Sequence, residues 1–142
     1  MDIKIIIHQH LHWKNLVKSL LNEAEVSILN PSILIKDTDC DLGRWIYSSD
    51  KKPFNSNDNF IALKKLHAKF HHLAGTIALN YQSGKVEQTH ELMKEFDDIS
   101  DKLVQQLKQL QQCENIIKSS NHRFNAGIYF FYDFVDNFLV IA

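Results

Sequence analysis

Proline and glycine are scarce in this sequence, with two prolines and four glycines in 142 residues. So few turn-forming residues point to long uninterrupted helices and few tight turns. Cysteine is scarcer than a stapled fold needs: Cys40 and Cys113 do not amount to a disulfide framework. A free thiol used as a metal ligand must stay reduced, which makes the cytosol the expected compartment. Neither sign of charge dominates. The net charge is -1 and no run of Lys or Arg resembles a basic arm, so there is no electrostatic pull toward nucleic acid or anionic lipid. Long hydrophobic runs are missing near the N-terminus, where Ile5–Ile7 is too short for a signal-peptide core or a membrane span. No internal repeat or low-complexity tract is visible, and no His-Glu-x-x-His occurs.

What the chain does have is length for one domain, too little for two ordinary ones, and the apolar share of a globular protein, 44%. Ile3, Ile6, Ile7, His10, Trp13, Leu16, Val17, Leu20 and Leu21 recur at three- and four-residue steps. They predict a first helix over residues 3 to about 23 with His10 on its inward stripe. Asn30-Pro31-Ser32 is expected to end any helix there, and residues 24–39 read as a connecting loop with an apolar patch, Ile33 to Ile35. Asp37-Thr38-Asp39 supplies N-cap candidates for a short helix from Cys40 to about Ser48. A polar loop over 49–59 leads into a second long helix whose face carries Phe60, Leu63, Leu66, His67, Phe70, His71, Ala74, Ile77 and Ala78. Ser83-Gly84 breaks it. A third long helix, 86 to about 119, carries Leu92, Phe96, Ile99, Leu103, Gln106, Leu110, Cys113 and Ile117 as an a/d seam, packed inside the protomer or shared with a second copy. Cys113 reads as packing. The fold class expected is all-α: an antiparallel bundle of three long helices plus a short helix bearing Cys40. Residues 1–120 form the domain, and an aromatic tail over 121–142 is left open between strand and helix. That tail is a poor membrane span, and a candidate docking segment or membrane-surface anchor.

Three short signatures concentrate the chemistry: His10-Leu11-His12-Trp13, Cys40-Asp41-Leu42-Gly43-Arg44-Trp45 and His67-Ala68-Lys69-Phe70-His71. His67 and His71 are one helical turn apart and stack on the same side. With His10 from an antiparallel neighbouring helix and Cys40 from the connecting segment they make a complete tetrahedral set for zinc, leaving no open position for a substrate. Gly43 is expected to let the backbone beside Cys40 approach a neighbouring helix. Trp13, Trp45 and Phe70 are expected to wall the site, and Asp39 and Asp41 lie near enough in sequence to be considered as acceptors for the free imidazole nitrogens. Arg44 reads as a surface or structural residue. His8, His12, His72, His90 and His122 lack partners at metal spacing and read as solvated or capping.

These signatures resemble those of the chemoreceptor zinc-binding (CZB) domain of bacterial signalling proteins: a His-x-x-Trp, a Cys-x-Leu-Gly-x-Trp and a His-x-x-Phe-His, in this order, over residues 3 to about 117. The resemblance implies a helical bundle, often a homodimer, with one zinc per protomer held by His10, Cys40, His67 and His71. It further implies a cytoplasmic module that reports zinc or oxidant levels in chemotaxis or to a diguanylate cyclase, and no enzyme activity of its own. Neither a methyl-accepting coiled coil nor a cyclase domain is present in the sequence, so metal binding carries over residue by residue and the signalling partner does not. Two other readings stand beside it. Zinc is purely structural in a dimerising helical protein, or the bundle holds a hemerythrin-like iron centre, against which Lys94 occupies the place of the carboxylate that would follow His90.

Overall fold

The computed structural model describes residues 2–20, 29–48 and 57–120, and for residues 113, 114 and 117–120 the backbone alone. Within these residues the chain is all-α, with helices α1 (Ile3–Ser19), α2 (Pro31–Leu34), α3 (Asp41–Ile46), α4 (Asp58–Gln82) and α5 (Val86–Ser120). The tail from 121 onward, Leu21 and the side chain of Cys113 lie outside the described residues.

The starts of α1 to α4 are written in side chains that satisfy an orphan N–H of the first turn. Asp2 Oδ1 accepts from Lys4 N at 2.9 Å, and Asn57 Oδ1 accepts from Phe60 N at 3.0 Å. Asn30 does the same for Ser32 N at 3.0 Å, with Pro31 in the first helical position. Here the expectation from sequence fails. Asn30-Pro31-Ser32 opens a helix inside the expected 24–39 loop, because a proline at the first position spends no needed N–H and has its φ already set. The apolar patch expected in a loop is therefore partly helical, and it buries Leu34. The cap of α3 is also different: none of Asp37, Thr38 or Asp39 serves, and Cys40 Sγ itself accepts from Gly43 N at 3.3 Å.

Ser83 caps α4, and Gly84, with φ +72°, turns the chain within three residues into α5. So short a link makes α4 and α5 an antiparallel hairpin, closed by the Phe70–Phe96 ring pair at 5.1 Å. Helix α1 lies against both. Lys14 reaches Asp101 at 2.5 Å and Lys18, one turn on, reaches Asp97 at 2.8 Å, so α1 also runs antiparallel to α5. Consequently α1 and α4 run parallel to each other, not antiparallel as expected, because the α2–α3 segment takes the chain back between them.

The core joins Ile3, Ile6, Val17 and Leu20 of α1 to Leu34, Leu42 and Ile46 of the connecting segment and to the inward faces of α4 and α5. The α5 stripe keeps Phe96, Ile99 and Leu103 of the expected seam and is broader than it. Its centre is Thr89, Met93, Phe96, Ser100, Leu103 and Leu107, while Leu92 and Gln106 are only partly buried. Thr89 and Ser100 are tolerated there because their hydroxyls donate to the carbonyls of Lys85 and Phe96 at 2.9 and 2.6 Å. A hydrophobicity pattern scores Thr and Ser as polar, which kept these two out of the expected seam. Gly75, unremarked in the sequence, is a contact point: a Cβ there would lie 2.7 Å from Cβ of Ile35, so α4 touches the end of α2 through a side-chain-free position.

Candidate metal centre

His10 is buried on α1, and its Nδ1 lies 2.9 Å from the carbonyl of Ile6, one turn earlier in the same helix. His71 is buried on α4, and its Nδ1 lies 2.8 Å from the carbonyl of Leu34, the last residue of α2. A carbonyl can only accept, so both rings donate from Nδ1–H and present Nε2 as a bare lone pair. Both Nε2 atoms are buried without a hydrogen-bond partner. His67, fully buried on α4, points Nε2 at Cys40 Sγ, 3.2 Å away, and its Nδ1 is likewise unpartnered. The four side chains converge: one donor atom from each lies within 4.8 Å of all the others. Bonds of about 2.0–2.3 Å to a tetrahedral zinc would set donors roughly 3.3–3.8 Å apart, so a small inward movement closes the shell.

Leaving the Nε2 atoms of His10 and His71 buried without partners is expensive in an apolar interior, and both would be satisfied by a cation. The electrostatics agree. Burial, opposed by the Ile6 carbonyl and aided by His71, lowers the His10 pKa to about 4. Burial, with His71 and His10 adding to it, lowers that of His67 to about 2. Burial also lowers that of His71, against the pull of the Leu34 carbonyl and of Asp37 and Asp39. The three imidazoles are held neutral, which is the ligating form. The metal-free Cys40 thiol goes the other way: burial pushes it up, with the Gly43 and Leu42 N–H groups partly offsetting. A bound divalent cation inverts that preference, since a coordinating thiol is deprotonated outright. The residues fit the ion.

The surroundings differ from expectation in instructive ways. The imidazole acceptors are backbone carbonyls, not carboxylates. Asp41 instead accepts from Gln9 Nε2 at 2.9 Å and pairs with Arg44, while Asp39 takes Thr38 Oγ1 at 3.0 Å. No residue-type signal could have revealed this, because every residue has a carbonyl; only a free helix end or an i−4 position makes one available. Gly43 does approach a neighbouring backbone, but that of Asp37 and Thr38 in the preceding loop: a Cβ on it would stand 1.8 Å from the Asp37 carbonyl oxygen. Phe70 is the expected wall, with its ring 5.3 Å from His10 and 5.4 Å from His71. Trp13 lines the groove beside Cys40 and His71, whereas the ring contact of Trp45 is with Phe60, at 5.9 Å. Arg44 is exposed and its guanidinium donates to the Asp39 carbonyl, consistent with a structural role. No carboxylate joins the cluster among the described residues, and Glu95 pairs with Lys69 at 2.5 Å.

Three imidazoles and one sulfur gathered around a common point could supply all four donors of a closed tetrahedral metal site, the kind that keeps no open position for a substrate. Residues 10–78 match the family model of the chemoreceptor zinc-binding domain, and over this stretch the chain is similar to that family. The family is a zinc-binding, regulatory one. The match begins at His10 and includes all four candidate donors, and it is narrower than the span expected from the sequence. Helix α5 falls outside it, a helix that contributes an apolar stripe and no donor. Neither the curated proteins nor the solved structures gave a match. No helix among the described residues is long and apolar enough to cross a membrane.

Proposed function

We propose that this chain is a zinc-binding regulatory module of bacterial signal transduction, in which His10, Cys40, His67 and His71 hold one Zn2+ per chain. The observation that carries the reading is the convergence of the four donors within 4.8 Å, with the buried Nε2 atoms of His10 and His71 lacking any other partner. When bound, zinc would keep the Cys40 sulfur as a thiolate and tie α1, the start of α3 and α4 to one point. Three elements distant in sequence would thus share one constraint, and α5 would follow through its packing on α1 and α4. Cys40 is the one donor that is not fully buried, and a reachable thiolate is the form oxidants attack. A response to zinc level or to thiol oxidants, in the cytoplasm, through a homodimer or a signalling partner, completes the proposal.

The test is metal analysis combined with sizing of the purified chain beside Cys40→Ala and His71→Ala. One zinc per chain in the parent, lost or much weakened in both variants, supports the ligand set. Iron with an absorbing centre, or unchanged stoichiometry in the variants, overturns it. Sensing requires a second state. If the metal-free chain is unfolded at every accessible zinc level, the purely structural role takes its place.

A further inference from the structure

We infer that Tyr47 is a positioning residue of the metal centre: its hydroxyl closes the chain from Asp37 to Tyr47 into a loop that holds the Cys40 sulfur against His67 before any metal arrives. The inference rests on the zinc reading above and adds to it a residue that supplies no donor. Cys40 needs such support. It stands at the start of α3, a helix of six residues, and a helix so short has little stability of its own. Thr38 and Asp39, which lead into it, are exposed, so burial does not hold them in place.

Helix α3 has Cys40 as its N-cap and Tyr47 as its C-cap. The Tyr47 backbone N–H donates to the Gly43 carbonyl at 2.9 Å, so the residue still belongs to the last turn. Its hydroxyl donates to Asp37 Oδ2. Asp37 is thereby gripped twice, at its carboxylate by Tyr47 and at its backbone carbonyl by Gly43, which lies hard against it. Both ends of α3 are then joined to the 37–39 segment, one covalently through Cys40 and the other through the Tyr47 hydroxyl. The Tyr47 ring is braced on α4 as well. Lys64 Nζ stands 4.6 Å from its centroid, and Lys64 precedes His67 on that helix by about one turn. The part of α4 that brings His67 Nε2 to 3.2 Å from Cys40 Sγ therefore also seats Tyr47. Burial and the hydrogen bond to Asp37 push the phenol up to about 12, so it stays a donor throughout the neutral range. A loop closed in this way has less conformational freedom, and a sulfur already near its ligating position costs less to order.

Three variants of the full chain test this. Tyr47→Phe deletes the hydroxyl and keeps the ring, Asp37→Ala deletes the acceptor, and Asp37→Asn keeps an acceptor oxygen without the charge. In the metal-free protein, amide exchange at Gly43, whose N–H donates to Cys40 Sγ at 3.3 Å, reports whether the sulfur holds its place. Zinc affinity, from competition with a chromophoric chelator, reports the consequence. Tyr47→Phe and Asp37→Ala are each expected to speed exchange at Gly43 and to weaken zinc binding about five-fold, with exchange at Phe96 unchanged. Asp37→Asn is expected to stay within about two-fold of the parent in both. Parent behaviour in Tyr47→Phe overturns the inference, and so does acceleration at Phe96 equal to that at Gly43, the sign of a general loss of stability. An Asp37→Asn protein as impaired as Asp37→Ala also overturns it, in favour of the carboxylate charge acting on His71. A parent chain that binds no zinc refutes the zinc reading itself, and the exchange rates still decide whether Tyr47 holds Cys40.

Discussion

Gly43→Ala isolates the geometry on which the metal centre depends, because it alters no donor. The added Cβ would lie 1.8 Å from the carbonyl oxygen of Asp37 and 2.8 Å from its carbon, where real contacts essentially never fall below 3.0 Å. The shortfall on the oxygen is 3.0 − 1.8 = 1.2 Å, and both parties are backbone, so no side chain can rotate aside. Either α3 or the 37–39 loop has to move, and Cys40 joins the two. Metal sites tolerate ligand displacements of only about 0.2–0.5 Å. The shift needed exceeds that several times over, so zinc affinity is expected to fall by at least about 100-fold, or ~2.7 kcal/mol. The metal-free fold is expected to lose about 1–3 kcal/mol through overpacking, with helix content retained because α4 and α5 pack directly on each other through Phe70 and Phe96. Gly84→Ala is the control. Gly84 has φ +72° and nothing within 4 Å of the added Cβ, so the cost is backbone strain of about 1–2 kcal/mol and no change at the site. Competition titration against a chromophoric chelator, with far-UV circular dichroism to monitor folding, measures both. A Gly43→Ala protein that is natively helical and binds zinc within about three-fold of the parent would refute the reasoning.

Three further outcomes are expected. Phe70→Ala removes a ring 1% exposed between His10, His71 and Phe96 and is expected to cost about 3–5 kcal/mol in urea unfolding; a loss under about 1 kcal/mol would show that the site collapses onto the gap. Metal-free protein is expected to lose stability as pH falls. His10 and His67 have folded pKa values of about 4 and about 2 against an ordinary 6.5, so below 6.5 the unfolded chain binds protons that the folded one refuses. Stability contributed by these two groups is complete above about pH 7 and falls by roughly 2–3 kcal/mol per unit between pH 6 and 4.5; a flat denaturation midpoint over that interval would contradict the buried neutral imidazoles. Asp97→Ala, which releases Lys18 and leaves Lys14 its pair with Asp101, is expected to loosen α1 from α5 by about 0.5 kcal/mol at low salt and by less at high salt, measured as a shift in thermal midpoint.

The legible part of the site was the part encoded in side-chain chemistry. An imidazole at i and i+4 announces a pair on one helical face, and a cysteine followed by a glycine and a tryptophan announces a special turn. His10, Cys40, His67 and His71 could therefore be named without coordinates. The illegible part was encoded in the backbone. Ile6 and Leu34 act through carbonyls, Gly75 through an absent side chain, and Cys40 caps a helix through a sulfur seldom counted among capping groups. The misreading of Pro31 has the same origin. Proline restricts the residue before it and pre-organises the one it occupies, and which consequence governs depends on whether a helix is arriving or departing.

Sequence by itself determined the all-α class, the three long helices and the four candidate donors, because helical periodicity and ligand chemistry are local properties. Tertiary structure decided the rest. It made α1 parallel to α4, handed the imidazole protons to backbone carbonyls, buried two hydroxyls in the α5 stripe, and left Cys40 beside a groove while His10 and His67 were sealed. Each of these depends on which surfaces meet across the chain, and that is set by the simultaneous burial of all the apolar faces and not by any one segment's own preference.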